Sequence, residues 1–146
     1  MNTVNNNIVI VEDNANDAEL LVNSLNKTGL INSIIVLEDG KQAIDFFYGH
    51  GIYKDKPPIL LPTMIFLDLK LPKLNGLEVL QKLKTNERTK KIPVVVFTSS
   101  NENSDKEAAY KLGANSYIVK PVDFEKFTMT VNQVGLYWLE MNEKLK

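Results

Sequence analysis

At 146 residues, with 18 acidic and 17 basic side chains, the chain has the length of one domain and a formal charge of −1. That balance offers no broad basic field for nucleic acid, and 44% hydrophobic residues suffice for a core without covalent staples. The absence of cysteine excludes disulfides, zinc–thiolate centres and thiol catalysis. No apolar run nears the roughly 20 residues that span a bilayer. Residues 1–7 lack the basic-then-apolar order of a signal segment. A cytoplasmic protein with neither membrane nor nucleic-acid partner is expected.

Five short apolar runs follow one another along the chain: Ile8–Val11, Ile34–Leu37, Met64–Leu67, Val94–Phe97 and Tyr117–Val119. Several are apolar throughout, as strands are when helices cover both faces of a sheet. After the first run, Ala18, Leu21, Val22 and Leu25 repeat at helical spacing, with Asn14 as N-cap, Asp17 three residues on as its partner, and Gly29 as stop. Ala43, Ile44, Phe47 and Tyr48 mark a second helix after Asp39-Gly40. Leu77, Leu80 and Leu83 mark a third, and Ala108, Ala109 and Leu112 a short fourth ended by Gly113. Asp123 caps a fifth that carries Phe124, Phe127, Val131, Val134, Trp138 and Met141. The βαβαβαβαβα order predicts an α/β fold with a parallel sheet. Residues 49–62, with Gly49-His50-Gly51 and Pro57-Pro58, form an unusually long connection. It is read as an insertion packing locally, with a partner-binding surface as the alternative.

In an open parallel sheet, ligands bind beyond the carboxyl ends of the strands. There the sequence places Glu12-Asp13, Asp68, Thr98-Ser99-Ser100 and Lys120-Pro121. Gathered carboxylates need a cation, and all-oxygen ligation suits Mg²⁺. A hydroxyl and an ammonium can bind phosphoryl oxygens, and a carboxylate can serve as nucleophile toward phosphorus. Taken singly, strand-end acids often only cap the next helix, and Thr98 or Lys120 could be plain turn residues. Four suitable residue types after four different strands favour phosphoryl transfer.

These motifs resemble the response regulator receiver domain of two-component signalling. The resemblance rests on Val11-Glu12-Asp13-Asn14, Asp68 through Gly76, Val95-Val96-Phe97-Thr98-Ser99, Leu112-Gly113-Ala114 and Tyr117-Ile118-Val119-Lys120-Pro121. It covers residues 6–135 and implies a doubly wound, flavodoxin-like sheet of strand order 2-1-3-4-5 with five helices. It further implies that Asp68 takes a phosphoryl group from a phosphohistidine of a sensor histidine kinase. Asp13 and Asp68 would ligate Mg²⁺ with the Lys70 backbone carbonyl, and Glu12 through water. Thr98 and Lys120 would bind phosphoryl oxygens, with Pro121 following the lysine in a cis bond. Thr98 and Tyr117 would form the switch that alters the face of helix four, strand five and helix five. Lys70 and Ser100 occupy the two positions that usually tune phosphate lifetime.

The insertion at 49–62, the chain end soon after the fifth helix and Tyr137-Trp138-Leu139 resemble phytochrome-associated single-domain response regulators. One receiver domain over 1–146 is therefore expected, with a last helix over about 123–145. Phe127, Val131, Val134, Trp138, Met141 and Leu145 are spaced 4, 3, 4, 3, 4, a heptad-like seam. Its early members are expected in the core, and its late members in a homodimer contact.

Two rival readings have specific costs. A phosphohydrolase resembling the haloacid dehalogenase family needs an acid two residues after the nucleophile, where this chain has Lys70. A receiver that never takes phosphate would lack site residues, and none is missing. No nucleotide-binding glycine motif is present. The single histidine, His50, lies in a glycine-flanked loop and is read as solvated. The chain is thus expected to be no turnover enzyme, catalysing only its own phosphorylation and dephosphorylation.

Overall fold

A computed structural model describes residues 6–143. Its strands are β1 (Asn7–Val11), β2 (Ser33–Leu37), β3 (Met64–Leu67), β4 (Val94–Thr98) and β5 (Ser116–Val119). They pair in parallel in the order β2-β1-β3-β4-β5. The helices between and after them are α1 (Ala15–Asn26), α2 (Gly40–Tyr48), α3 (Gly76–Thr85), α4 (Asn103–Lys111) and α5 (Phe124–Leu136). This is the flavodoxin-like topology that the motifs implied.

The wholly apolar strands result from a core on each face, since successive side chains point to opposite sides. Val9, Val11, Ile65, Leu67, Val94 and Val96 pack with Ala43, Phe47, Val79, Leu80 and Leu83 of α2 and α3. Ile8, Ile10, Met64, Phe66, Val95 and Phe97 pack with Leu21 and Leu25 of α1 and with Phe127 and Val131 of α5. Among the described strands, the edge strand β2 leaves apolar side chains, Ile35 and Val36, open to solvent.

Four helix starts are capped by side chains that satisfy otherwise unpaired amides. Asn14 accepts from the Asp17 N–H, Asp39 from Gln42, Asn75 from Glu78 and Asp123 from Lys126. Each cap lies just past a strand end or in its loop, so it also sets where the site-bearing segments leave the sheet.

Segment 49–62 is mostly exposed and is held at a few points. Gly49 ends α2 in the left-handed region, at φ 68°, and a 3₁₀ turn covers Gly51–Tyr53. The Tyr53 ring meets Phe46 edge-on at 5.3 Å, and Ile59 packs on the core. Arg88, the sole arginine, donates to the Phe47 carbonyl (2.6 Å) and to that of Ile59 (3.4 Å). His50 is exposed, in keeping with a solvated loop residue.

The last helix departs from the expected 123–145. After Leu136 the chain enters a π-helical turn, Tyr137–Met141, and Asn142 is already extended. The Asn142 N–H reaches back five residues to the Tyr137 carbonyl (2.7 Å). One extra residue in a turn rotates the chain beyond it. Leu139 lies in the core at 3% exposure, four residues past buried Gly135, and beyond it Met141 is 71% exposed. Trp138 packs against the second core instead of forming a free seam. Leu145 lies outside the described residues.

Candidate functional site

The site forms where strand hydrogen bonding runs one residue past β1, β3 and β5. The Glu12 N–H donates to the Leu37 carbonyl (2.9 Å), Asp68 to Val11 (3.0 Å) and Lys120 to Thr98 (2.7 Å). The ladder itself thus delivers Glu12, Asp68 and Lys120 to one edge. A lysine just past β5 reaches across the sheet edge because its four-carbon stem is long enough to carry the ammonium to the carboxylates.

Lys120 Nζ stands 2.6 Å from Glu12 Oε1, 2.8 Å from Asp17 Oδ2 and 2.9 Å from Asp68 Oδ2. The side chains of Lys120, Glu12 and Asp68 are 8%, 2% and 7% exposed, so these pairs are shielded from water. Such desolvated charges persist only when closely paired. Three carboxylates around it hold the Lys120 ammonium above its usual range despite burial.

The two buried acids respond in opposite directions. Burial alone would raise the Asp68 carboxyl. Lys120, the Thr98 hydroxyl and the Lys70 N–H outweigh burial and hold it below its ordinary value. That N–H donates to Asp68 Oδ1 at 3.2 Å. Glu12 is raised to about 7, first by burial and then by the Asp68 charge, against the pull of Lys120 and the Asn14 N–H. Asp68 is thereby kept anionic, as a nucleophile must be.

Glu12, Asp13 and the Asp68 carboxylate each place an oxygen within 4.8 Å of the others. Asp13 is exposed and faces outward from the buried pair. A hard cation that keeps several waters suits this all-oxygen, half-open donor set. The residues fit Mg²⁺.

The loop from β3 to α3 is held by close backbone approach. The Gly76 N–H donates to the Leu69 carbonyl (2.9 Å), and a Cβ on Gly76 would collide with the Asp68 carbonyl and Leu69 Cα. A Cβ on Gly40 would likewise strike the Leu74 carbonyl. Thr98 is fully buried at the end of β4. Two residues on, Ser100 is buried and its hydroxyl bonds Asp105 Oδ2 (2.5 Å). The Tyr117 hydroxyl donates to the Ser100 carbonyl (3.0 Å) and so ties β5 to the Thr98 loop.

Glu12, Asp13, Asp68, Thr98 and Lys120 therefore meet, and the Lys70 amide joins them while its side chain is exposed. Two outcomes differ from expectation. No described peptide bond is cis, so Pro121 follows Lys120 in a trans bond. Lys120 is aimed instead by its amide bond to Thr98 and by its three carboxylate partners. Asp17, taken from the sequence only as the partner of the Asn14 cap, is a member of the site. Its signal was positional: the third residue of α1 (Ala15–Asn26), just past β1, lies over the same sheet edge.

The receiver domain of response regulators matches residues 8–132 of the chain. The probable methanogenesis regulatory protein FilR2 of Methanothrix harundinacea is 41% identical over 92% of this chain and 84% of its own. Response regulator Rcp1 of a Synechocystis species is 37% identical over 91% of this chain and 88% of its own. Its Mn²⁺-bound crystal structure superposes with a TM-score of 0.86, over 97% of this chain and 99% of that one. The phosphorylated cyanobacterial phytochrome response regulator RcpA gives 0.88 at 31% identity, over 95% and 97% of the two chains. On sequence, fold and the gathered acids and lysine alike, the chain belongs to the response regulator receiver-domain family.

Proposed function

We propose that Asp68 accepts a phosphoryl group from a phosphohistidine of a sensor histidine kinase and that this switches the surface the domain offers to partners. The observation that carries the reading is the Lys120 ammonium set between Asp68 and Glu12 beside Asp13, at the carboxyl edge of the sheet. An Asp68 carboxylate oxygen attacks phosphorus, the P–N bond breaks as the P–O bond forms, and the imidazole nitrogen leaves with its electron pair. Asp13, Asp68 and the Lys70 carbonyl would hold Mg²⁺, with Glu12 acting through water. When bound, Mg²⁺ offsets the repulsion between the carboxylates and the incoming phosphoryl oxygens. Lys120 and Thr98 bind the remaining phosphoryl oxygens. The chain catalyses only this transfer and the later hydrolysis of its own acyl phosphate.

The switch runs through Thr98 and Tyr117. A phosphoryl oxygen draws the Thr98 hydroxyl, the loop to Ser100 moves with it, and the Tyr117 hydroxyl exchanges its bond to the Ser100 carbonyl. Exposed Tyr110, Val122 and Phe124 lie on and beside this face, where a partner would read the change. The likeness to the cyanobacterial phytochrome response regulator RcpA supports a phytochrome as the kinase, and the reading places the protein in the cytoplasm. Residues 1–146 then act as one receiver domain, and a homodimer is placed on the exposed side chains of the π-helical turn. No described helix is long and apolar enough to cross a membrane.

Incubation with Mg²⁺ and a small phosphodonor should add one acid-labile phosphoryl group, and Asp68→Asn should abolish it. Full labelling of Asp68→Asn would remove Asp68 from this role.

A further inference from the structure

An ammonium group has three N–H bonds, and Lys120 spends them on Glu12, Asp17 and Asp68. Two of those partners have other duties. Asp68 becomes an acyl phosphate on phosphorylation, and the lysine must then bond the phosphoryl group in place of the carboxylate. Glu12 belongs with Asp13 and Asp68 to the acids close enough to share a cation. Asp17 is outside that group. Its place is set by α1: its N–H donates to the Asn14 cap (3.0 Å), and the Ala18 N–H donates to the Asn14 carbonyl (2.9 Å). Helix and sheet thus hold the Asp17 carboxylate 2.8 Å from the ammonium, independently of cation and phosphoryl group.

We infer that Asp17 is a positioning residue, the constant anchor that keeps Lys120 directed at Asp68 while its other two partners change, an inference that rests on the phosphoacceptor reading of Asp68. A free lysine head samples many rotamers, and ordering it afresh in each reaction slows the step that needs it. Charge alone argues the opposite sign. Removing an acid from a crowded acidic edge would ease the approach of an anionic donor and speed transfer. The sign of the effect therefore separates anchoring from repulsion.

The test compares wild type, Asp17→Ala and Asp17→Asn with a small phosphodonor at saturating Mg²⁺, following acid-labile phosphate with time. Alanine is the best helix former and Asp17 is 27% exposed, so α1 should tolerate both changes. Asp17→Ala should label roughly tenfold more slowly, and Asp17→Asn, which keeps an acceptor oxygen, within about threefold of wild type. Mg²⁺ affinity, titrated separately, should stay within about twofold of wild type for both variants. Asp17→Ala labelling as fast as wild type, or faster, would overturn the inference. So would a parallel loss of Mg²⁺ affinity, or Asp17→Asn as slow as Asp17→Ala. Failure of wild type itself to label would instead overturn the phosphoacceptor reading.

Discussion

Lys120 Nζ lies 2.9 Å from Asp68 Oδ2, and this pair joins the end of β5 to the end of β3 across the intervening β4. It is the contact that lets a buried carboxylate remain an anion. The same ammonium neutralises Glu12 at 2.6 Å, so one cation supports two acids that would otherwise repel. Removing it leaves buried carboxylates unpaired, which is costlier than losing a surface ion pair.

Lys120→Met should therefore destabilise the metal-free protein by about 3 kcal/mol. Chemical denaturation in the presence of a chelator measures this. Mg²⁺ should return part of the loss, because a cation replaces the missing charge and binds only the folded form. The Lys120 ammonium is held above its usual value of 10.5, so its contribution is complete below that pH and fades as pH climbs through the folded value. Equal unfolding midpoints for variant and wild type at neutral pH would show that the pair contributes nothing to folding.

Glu12 makes metal binding pH-dependent. Its carboxyl is raised to about 7 chiefly by burial, so near neutrality it carries a proton for part of the time. Between about 4.5 and about 7 the metal-free folded state binds more protons than the unfolded chain. This contribution to stability is present below that window and lost as pH rises through it. A divalent cation favours the anionic form and expels the proton. Mg²⁺ affinity should thus rise from about pH 6 to pH 8 and then level off. Calorimetric titration near pH 7, in two buffers of different ionisation enthalpy, should show release of a fraction of one proton. Identical heats in both buffers would refute this coupling.

Much of the architecture was legible because a sheet covered on both faces needs runs such as Met64–Leu67 that are apolar throughout, and that strand has the expected ends. Asp68 and Lys120 were legible because each ends a strand in a parallel sheet, which brings such ends to one edge. Asp17 was not, since its contact with Lys120 spans 103 residues and its capping role already explained it. The π-helical turn was hidden for a different reason. A 3.6-residue period continues smoothly through Trp138 and Met141, and nothing in the side-chain pattern marks the extra residue of this turn.

Gly76 is a point of steric, not conformational, necessity. Its φ is not in the left-handed region, so alanine could adopt the backbone, but the Cβ would press on the Asp68 carbonyl and Leu69 Cα. Backbone cannot rotate aside as a side-chain tip can. Gly76→Ala should cost about 1–3 kcal/mol, in line with overpacking elsewhere, and should slow labelling of Asp68 by displacing it. Wild-type stability together with a wild-type labelling rate would mean that the loop has slack the geometry does not reveal.

Tyr117 offers a way to separate acceptance of phosphate from its readout. Tyr117→Phe keeps the ring beside Tyr110 and removes only the hydroxyl that bonds the Ser100 carbonyl. Phosphorylation of Asp68 should proceed within about threefold of the wild-type rate, since the hydroxyl touches no reacting atom. Amide exchange in 99–105 should rise in the unphosphorylated variant, reducing the difference that phosphorylation makes there. Unchanged exchange in that segment would show that the Tyr117 bond does not restrain the loop.

Association can be tested without disturbing the core. Truncation before Tyr137 would remove Leu139 and Trp138 along with the proposed contact, and would confuse unfolding with dissociation. Tyr137 and Met141 are 48% and 71% exposed and flank Leu139 in the same turn. Changing both to serine should leave thermal unfolding of the monomer nearly unchanged and raise the dimer dissociation constant at least about tenfold, as loss of an aromatic anchor does. Sedimentation velocity over a concentration series reads this directly. If wild type sediments as a monomer throughout, or the variant associates as strongly as wild type, the π-helical turn is not the dimer contact and the exposure of Tyr137 has another cause.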